Sequence, residues 1–300
     1  MNAPGIFVQV VLPVFALIGI GVLMDRRFRL DLPTLTKLNF YVFVPALAFV
    51  KTLEADIGGA TMGGIALFCL IHPVILFALA WALFSLRPLR PSRTVLSMGA
   101  AFCNCGNFGI PLVVLAFGDA QVGTLAIVII MQGLLMFTWG VWLMEKEGRG
   151  PLTVVLRMVR VPVVVAVAAG LALRWLRVEL PVPVGKPLGY LADGLIPVAL
   201  LTLGAQLSRS SFAAQLGRLS ALTAMRLVVS PLIAAAMMPL FGFPPEVGAV
   251  LVVAAGLPMA INVYIIAAEY EHDAELASQA VLWTTLASAV TLSVLLAVYR

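Results

Sequence analysis

Apolar residues fill this chain in long, nearly unbroken runs separated by short polar gaps. A membrane-spanning helix needs about 20 mostly apolar residues. Runs of that length lie at 5–24, 33–53, 62–86, 94–117, 120–144, 152–176, 187–207, 215–241, 246–269 and 274–299. None has the alternation of a membrane barrel strand, so each is expected to be helical. The first run has no basic stretch ahead of it and reads as a permanent span, not a signal peptide. The pattern predicts an all-α integral membrane protein of about ten transmembrane helices.

Composition agrees. Of 300 residues, 62% are hydrophobic and 11% charged, and the mean hydropathy is +1.08. Soluble domains are near half apolar and a quarter charged, so the solvent for most of this chain is lipid. The net charge of +5 does not indicate nucleic acid, because Lys and Arg sit in the gaps between spans. The gap after span 1 holds Arg26, Arg27 and Arg29, and that after span 3 holds Arg87, Arg90 and Arg93. Lys146 and Arg149 follow span 5, with Arg157 and Arg160 soon after, and Arg209 and Arg218 follow span 7. The opposite gaps hold Lys51, then Arg174, Arg177 and Lys186. This bias places the odd-numbered gaps in the cytoplasm and both termini outside a cell inner membrane.

The two halves repeat each other in order. Span 1 has Pro13 and Gly21, and span 6 has Pro162 and Gly170 at the same spacing. Pro45 in span 2 matches Pro197 in span 7, and His72-Pro73 in span 3 matches Ser230-Pro231 in span 8. Spans 4 and 9 are interrupted near 104–111 and 256–262, and Asp119 and Asp273 close them. Five spans per unit is an odd number, so the units are expected to be inverted repeats, 1–145 and 151–300, joined by a short cytoplasmic linker at 146–150.

The interruptions carry the candidate chemistry. Span 4 holds Cys103, Asn104, Cys105, Gly106, Asn107, Gly109 and Pro111. Glycine permits angles that end a helix, and proline removes an N–H yet suits the first turn of a new helix. Span 9 repeats the pattern with Gly256, Pro258, Met259, Asn262 and Tyr264. Unwound backbone is tolerated at bilayer depth only inside protein or beside a watery cavity. A restarted half-helix offers free N–H groups and a positive dipole end, which suits a carboxylate. The alternative is a pair of kinks whose Asn side chains bond freed carbonyls. The three cysteines, Cys69, Cys103 and Cys105, lack the spacing of a disulfide framework or metal centre.

These motifs resemble the auxin efflux carrier (PIN-like) family, of the bile/arsenite/riboflavin transporter-like superfamily. The resemblance rests on 104–112, on Leu257-Pro258 with Glu269-Tyr270, on Asp193-Gly194 with Leu203-Gly204, and on Ala280-Val281 with Ala287 and Thr291. It implies broken helices 4 and 9 that cross, a scaffold of spans 1, 2, 6 and 7, and a transport domain of spans 3–5 and 8–10. It also implies substrate contact at Asn104, a crossing proline at Pro258, and homodimerisation through the scaffold. Cys103 stands where plant members carry proline, and Asn262 interrupts an apolar stretch. Both favour a small, polar carboxylate such as malonate or malate over auxin.

The expected function is a secondary transporter moving a small organic anion by alternating access. Its expected contacts are Asn104, Cys105, Asn107, Gly109, Pro111, Gln132, Pro258, Met259, Asn262 and Tyr264. Thr138, Gln206, Thr284, Thr285 and Ser288 are further polar candidates, each of which could equally bond helix to helix. Asp193 is a candidate for proton coupling or an interfacial carboxylate. Lys37 and Lys51 are expected to snorkel. No cofactor or metal is expected, though H+ or Na+ coupling is open. A sodium symporter of the bile-acid type is the alternative. An intramembrane enzyme would need a catalytic pair at depth, and none is present. A nucleotide-binding loop is absent too, so direct ATP drive is not supported.

Overall fold

The computed structural model describes residues 3–54, 59–136, 139, 143, 162–178, 180–210 and 216–299. Thr138, the linker at 146–150 and the basic residues Lys146, Arg149, Arg157 and Arg160 lie outside them. Among the described residues every regular element is helical. We number them α1 (Pro4–Phe28), α2 (Leu32–Glu54), α3 (Gly59–Leu83), α4 (Arg93–Ala101), α5 (Cys105–Phe117) and α6 (Asp119–Leu135). Then follow α7 (Pro162–Trp175), α8 (Val182–Ser208), α9 (Leu216–Phe241), α10 (Pro245–Ala255), α11 (Ile261–Glu269) and α12 (Ala274–Tyr299). Six of these (α1, α2, α3, α8, α9 and α12) have the length and apolarity to cross a bilayer, and α5, α6, α7 and α10 are shorter apolar helices. Large apolar side chains point outward all round, with Trp175 85% and Leu240 82% exposed. Water would oppose that surface, whereas lipid is its natural solvent.

Proline shapes four helices in the same way. The N–H just before Pro13, Pro45, Pro111 and Pro231 reaches back five residues, to Phe7, Asn39, Cys105 and Met225 respectively. A proline ring clashes with the carbonyl four residues earlier, and a widened turn moves that carbonyl aside. Pro73, Pro197 and Pro239 sit inside their helices without such a turn.

Glycine sets the closest helix contact. A Cβ at Gly21 would lie 2.2 Å from the Leu201 carbonyl oxygen, and one at Gly204 2.0 Å from that of Ile18. Thus α1 and α8 meet backbone to backbone. Helix α7 approaches α2 at Gly170, where a Cβ would stand 3.0 Å from the Phe49 oxygen.

Polar ties hold the ends. The buried Asp25 carboxylate accepts from Arg209 Nη2 at 2.7 Å and Nε at 3.2 Å, and from the Ser208 hydroxyl, joining the end of α1 to that of α8. On the same side Ser92 donates to Asp273 and accepts from Arg218 Nη1 at 3.1 Å. At the opposite end Lys51 donates to Asp119 at 3.0 Å and Glu54 at 3.2 Å, linking α2 to the turn between α5 and α6.

Candidate functional site

The interruption between α4 and α5 meets that between α10 and α11. Phe102 is extended (φ −109°, ψ 130°), as is Ala260 (φ −64°, ψ 129°). The two stretches pair antiparallel at Cys103 and Met259. The Asn104 N–H donates to the Pro258 carbonyl at 2.8 Å, and the Ala260 N–H to that of Phe102 at 3.0 Å. Each unwound segment thus satisfies the other's backbone, which hydrocarbon demands. Side chains complete the set. Gln132 Oε1 accepts from the Cys103 N–H at 3.1 Å, and Thr284 Oγ accepts from the Met259 N–H at 3.1 Å.

Gly106, Gly109 and Gly256, expected to supply permissive angles, do not. Positive φ among the described glycines occurs only at Gly118 and Gly242. Gly109 and Gly256 instead admit neighbours. Their Cβ atoms would lie 2.7 Å from Leu257 Cδ1 and 2.6 Å from Leu295 Cδ2. Pro111 stands in the first α-helical turn beyond the widened turn, in keeping with its missing N–H.

A cavity of about 130 Å³ lies beside this crossing. One wall comes from Asn39 and Thr36 on α2, Thr202 and Gln206 on α8, and Val163 on α7. The other comes from the crossing itself (Cys103, Asn104, Ala260), the opening turns of α5 (Cys105, Gly106, Asn107) and α11 (Ile261, Asn262), and Gln132 on α6. Both restarted half-helices therefore present their N-terminal ends to one space, where first-turn N–H groups lack intrahelical acceptors. The wall contains amides, hydroxyls and thiols but no Asp, Glu, Lys, Arg or His among the described residues. Asn39 Nδ2 donates to Thr202 Oγ at 3.0 Å, and the Cys103 and Cys105 sulfurs lie 3.1 Å apart. Asn104 Nδ2, Asn39 Oδ1 and Gln206 Oε1 are buried without a partner among the described residues. Buried polar atoms left open in this way suit a ligand or water.

Asn104, Cys105, Asn107, Gln132 and Asn262 come together on this wall. Gly109, Pro111, Pro258 and Met259 are part of the crossing behind it, outside the lining. Tyr264 and Ser278 line a second cavity of about 200 Å³, with Gln206 and Ile261 common to both, that continues toward Arg209. At the other end, the space near Thr52, Gly123 and Arg174 is only about 20 Å³. Asp193 is exposed on α8, away from the cavity. Thr285 and Ser288 are buried in α12, outside the lining.

Sequence reasoning passed over Asn39, Thr36 and Thr202 on the facing helices. It also passed over Arg226, fully buried in α9 behind the crossing. A lone arginine inside an apolar run was the available signal.

Among the described residues, six long apolar helices, four shorter ones and a polar cavity where two broken helices meet define a multi-pass membrane protein. The family profile described as "Membrane transport protein" matches residues 6–296, so the chain belongs to that family, the one its auxin-carrier-like motifs resemble. It is 28% identical to a protein of Rhizobium meliloti (strain 1021) named "Putative malonate transporter", over 97% of this chain and 95% of that one. It is 27% identical to an "Uncharacterized transporter" of Methanothermobacter thermautotrophicus, over 95% of each. Family and relatives alike point to a transporter rather than an enzyme.

Proposed function

We propose that this protein is a secondary carrier for a small organic anion, a dicarboxylate of the malonate or malate kind, working by alternating access. The observation that carries the reading is the cavity at the crossing. It joins two half-helix N-termini to Asn104, Asn107, Asn262 and Gln132 and, among the described residues, has no acidic lining residue to repel an anion. The malonate name of the Rhizobium meliloti relative supports the same class.

The reading takes α1, α2, α7 and α8 as a scaffold and the other helices as a moving body, in two inverted five-helix repeats. The cavity lies on the seam between them. With the basic gaps in the cytoplasm, the wider second cavity opens inward. The outer end is then closed by the narrow space at Thr52 and by the Lys51–Asp119 pair, which crosses the seam.

A thermal-shift screen of purified protein against mono- and dicarboxylates and indole acids tests this, since a specific ligand stabilises the fold by mass action. A saturable rise with a small dicarboxylate is expected. A rise with cations or neutral solutes alone contradicts the reading.

A further inference from the structure

Arg226 has the largest fully buried side chain in the described structure. Its Nη1 donates to the Ala100 carbonyl at 2.6 Å, and its Nη2 donates to the Ala255 carbonyl and, at 2.6 Å, to Ser230 Oγ. Ser230 Oγ in turn donates to the Ala255 carbonyl at 2.7 Å. His72 Nε2 braces the arrangement from α3 at 3.0 Å from the Ser230 carbonyl. Ala100 is the penultimate residue of α4 and Ala255 the last of α10. One guanidinium therefore caps the C-terminal ends of both half-helices that enter the crossing. Among the described residues no carboxylate lies within bonding distance of it, and its Nε has no acceptor.

The charges at the crossing follow. A helix C-terminus carries about half a negative charge and an N-terminus about half a positive one. Two entering half-helices bring about one negative charge to the back of the crossing, and Arg226 matches it with one positive charge. The two departing half-helices bring about one positive charge to the cavity side, where no charged side chain among the described lining residues opposes it. A buried cation without a carboxylate is costly unless such poles surround it.

We propose that Arg226 is a built-in counter-cation. It neutralises the negative poles that would otherwise recruit a mobile cation, and it leaves the crossing net positive toward the cavity, so that the anion binds without sodium. Arg226 acts through the half-helices and is a positioning residue that sets the charge preference of the site. The inference rests on the anion-carrier reading and argues against the sodium-symport alternative.

The test is calorimetric binding of malonate to the purified full chain, in sodium and in choline at equal ionic strength. The dissociation constants are expected to agree within about twofold, and a tightening of about tenfold or more in sodium overturns the inference. Failure of every carboxylate to bind in either medium overturns the anion-carrier reading, and the inference falls with it. Two variants separate charge from scaffolding. Arg226→Lys keeps the charge and is expected to bind malonate within about tenfold of wild type. Arg226→Gln keeps donors without charge. It is expected to lose more affinity and to regain part of it on adding sodium, which a purely structural role would not do. Equal binding by the two variants, with no sodium response, overturns the assignment. If the glutamine variant does not fold, the wild-type comparison still decides.

Discussion

The Asn104 N–H donates to the Pro258 carbonyl at 2.8 Å, so the crossing is held by backbone while the Asn104 side chain stays open on the cavity wall. Asn104→Ala should therefore leave folding nearly unchanged and weaken malonate binding. Loss of one hydrogen bond to a charged ligand costs about 1–3 kcal/mol, or roughly 5- to 150-fold in affinity. Asn262→Ala should act in the same direction. Asn104→Asp should bind more weakly still, through like charge. Titration calorimetry reads all three, and wild-type affinity in both alanine variants would remove these residues from the site.

Pro111→Ala restores an N–H where the widened turn at 105–109 now stands. The turn can then close to a regular one, and each residue of register rotates the helix by about 100°. Asn107 would leave the cavity wall. Anion affinity should fall while helix content by circular dichroism and yield stay the same. Unchanged affinity would show that the widened turn has no part in the site.

Gly21→Val and Gly204→Val should destabilise the protein, because their Cβ atoms would lie 2.2 Å and 2.0 Å from facing backbone oxygens. Backbone cannot move aside as a side-chain end can. Overpacking costs typically about 1–3 kcal/mol, and these sites should fall at or above the top of that range. Gly19→Val, where a Cβ meets nothing within 4 Å, is the control. Melting temperatures in detergent check the contrast, and equal losses at all three sites would contradict the packing described.

Lys51 and Asp119 form a partly exposed pair, with side chains 16% and 63% accessible, so its contribution is about 0–1 kcal/mol. That is enough to move a two-state equilibrium up to about fivefold. Asp119→Asn should raise the labelling of a cysteine placed at Gly123, which lines the narrow space near Thr52 and Arg174, by an impermeant reagent applied from that side. The exchange Lys51→Asp with Asp119→Lys should restore the original rate. An unaltered rate in Asp119→Asn would mean that the pair does not hold this end shut.

The spans were legible because lipid imposes a length that few charges may interrupt, and within the described residues the helices fall within several residues of the expected runs, those at 120–144 and 152–176 continuing outside them. The exception is α8, which starts at Val182 rather than near 187 because Pro181 and Pro183 stand at its first turn without breaking it. Where the helices open was less legible. Proline and glycine mark the neighbourhood, yet the unwound residues are 102–104 and 256–260, and their extended form depends on pairing with each other. Such a contact joins residues over 150 positions apart and leaves no local signature. Asn104, Asn107 and Asn262 were readable because an amide in an apolar run is conspicuous. Asn39 and Thr202 were not, since polar residues inside spans serve helix contacts as often as ligands. Arg226 is conspicuous as a lone charge in an apolar run, but only the structure sets it against two helix ends.

Uptake of labelled malonate into liposomes carrying the purified protein tests the central claim most directly. Saturable uptake above protein-free liposomes is predicted, inhibited by unlabelled dicarboxylates, not by the neutral diamide of malonate, and reduced in Asn104→Ala. No uptake above background, or equal inhibition by the neutral diamide, would contradict an anion site at the crossing.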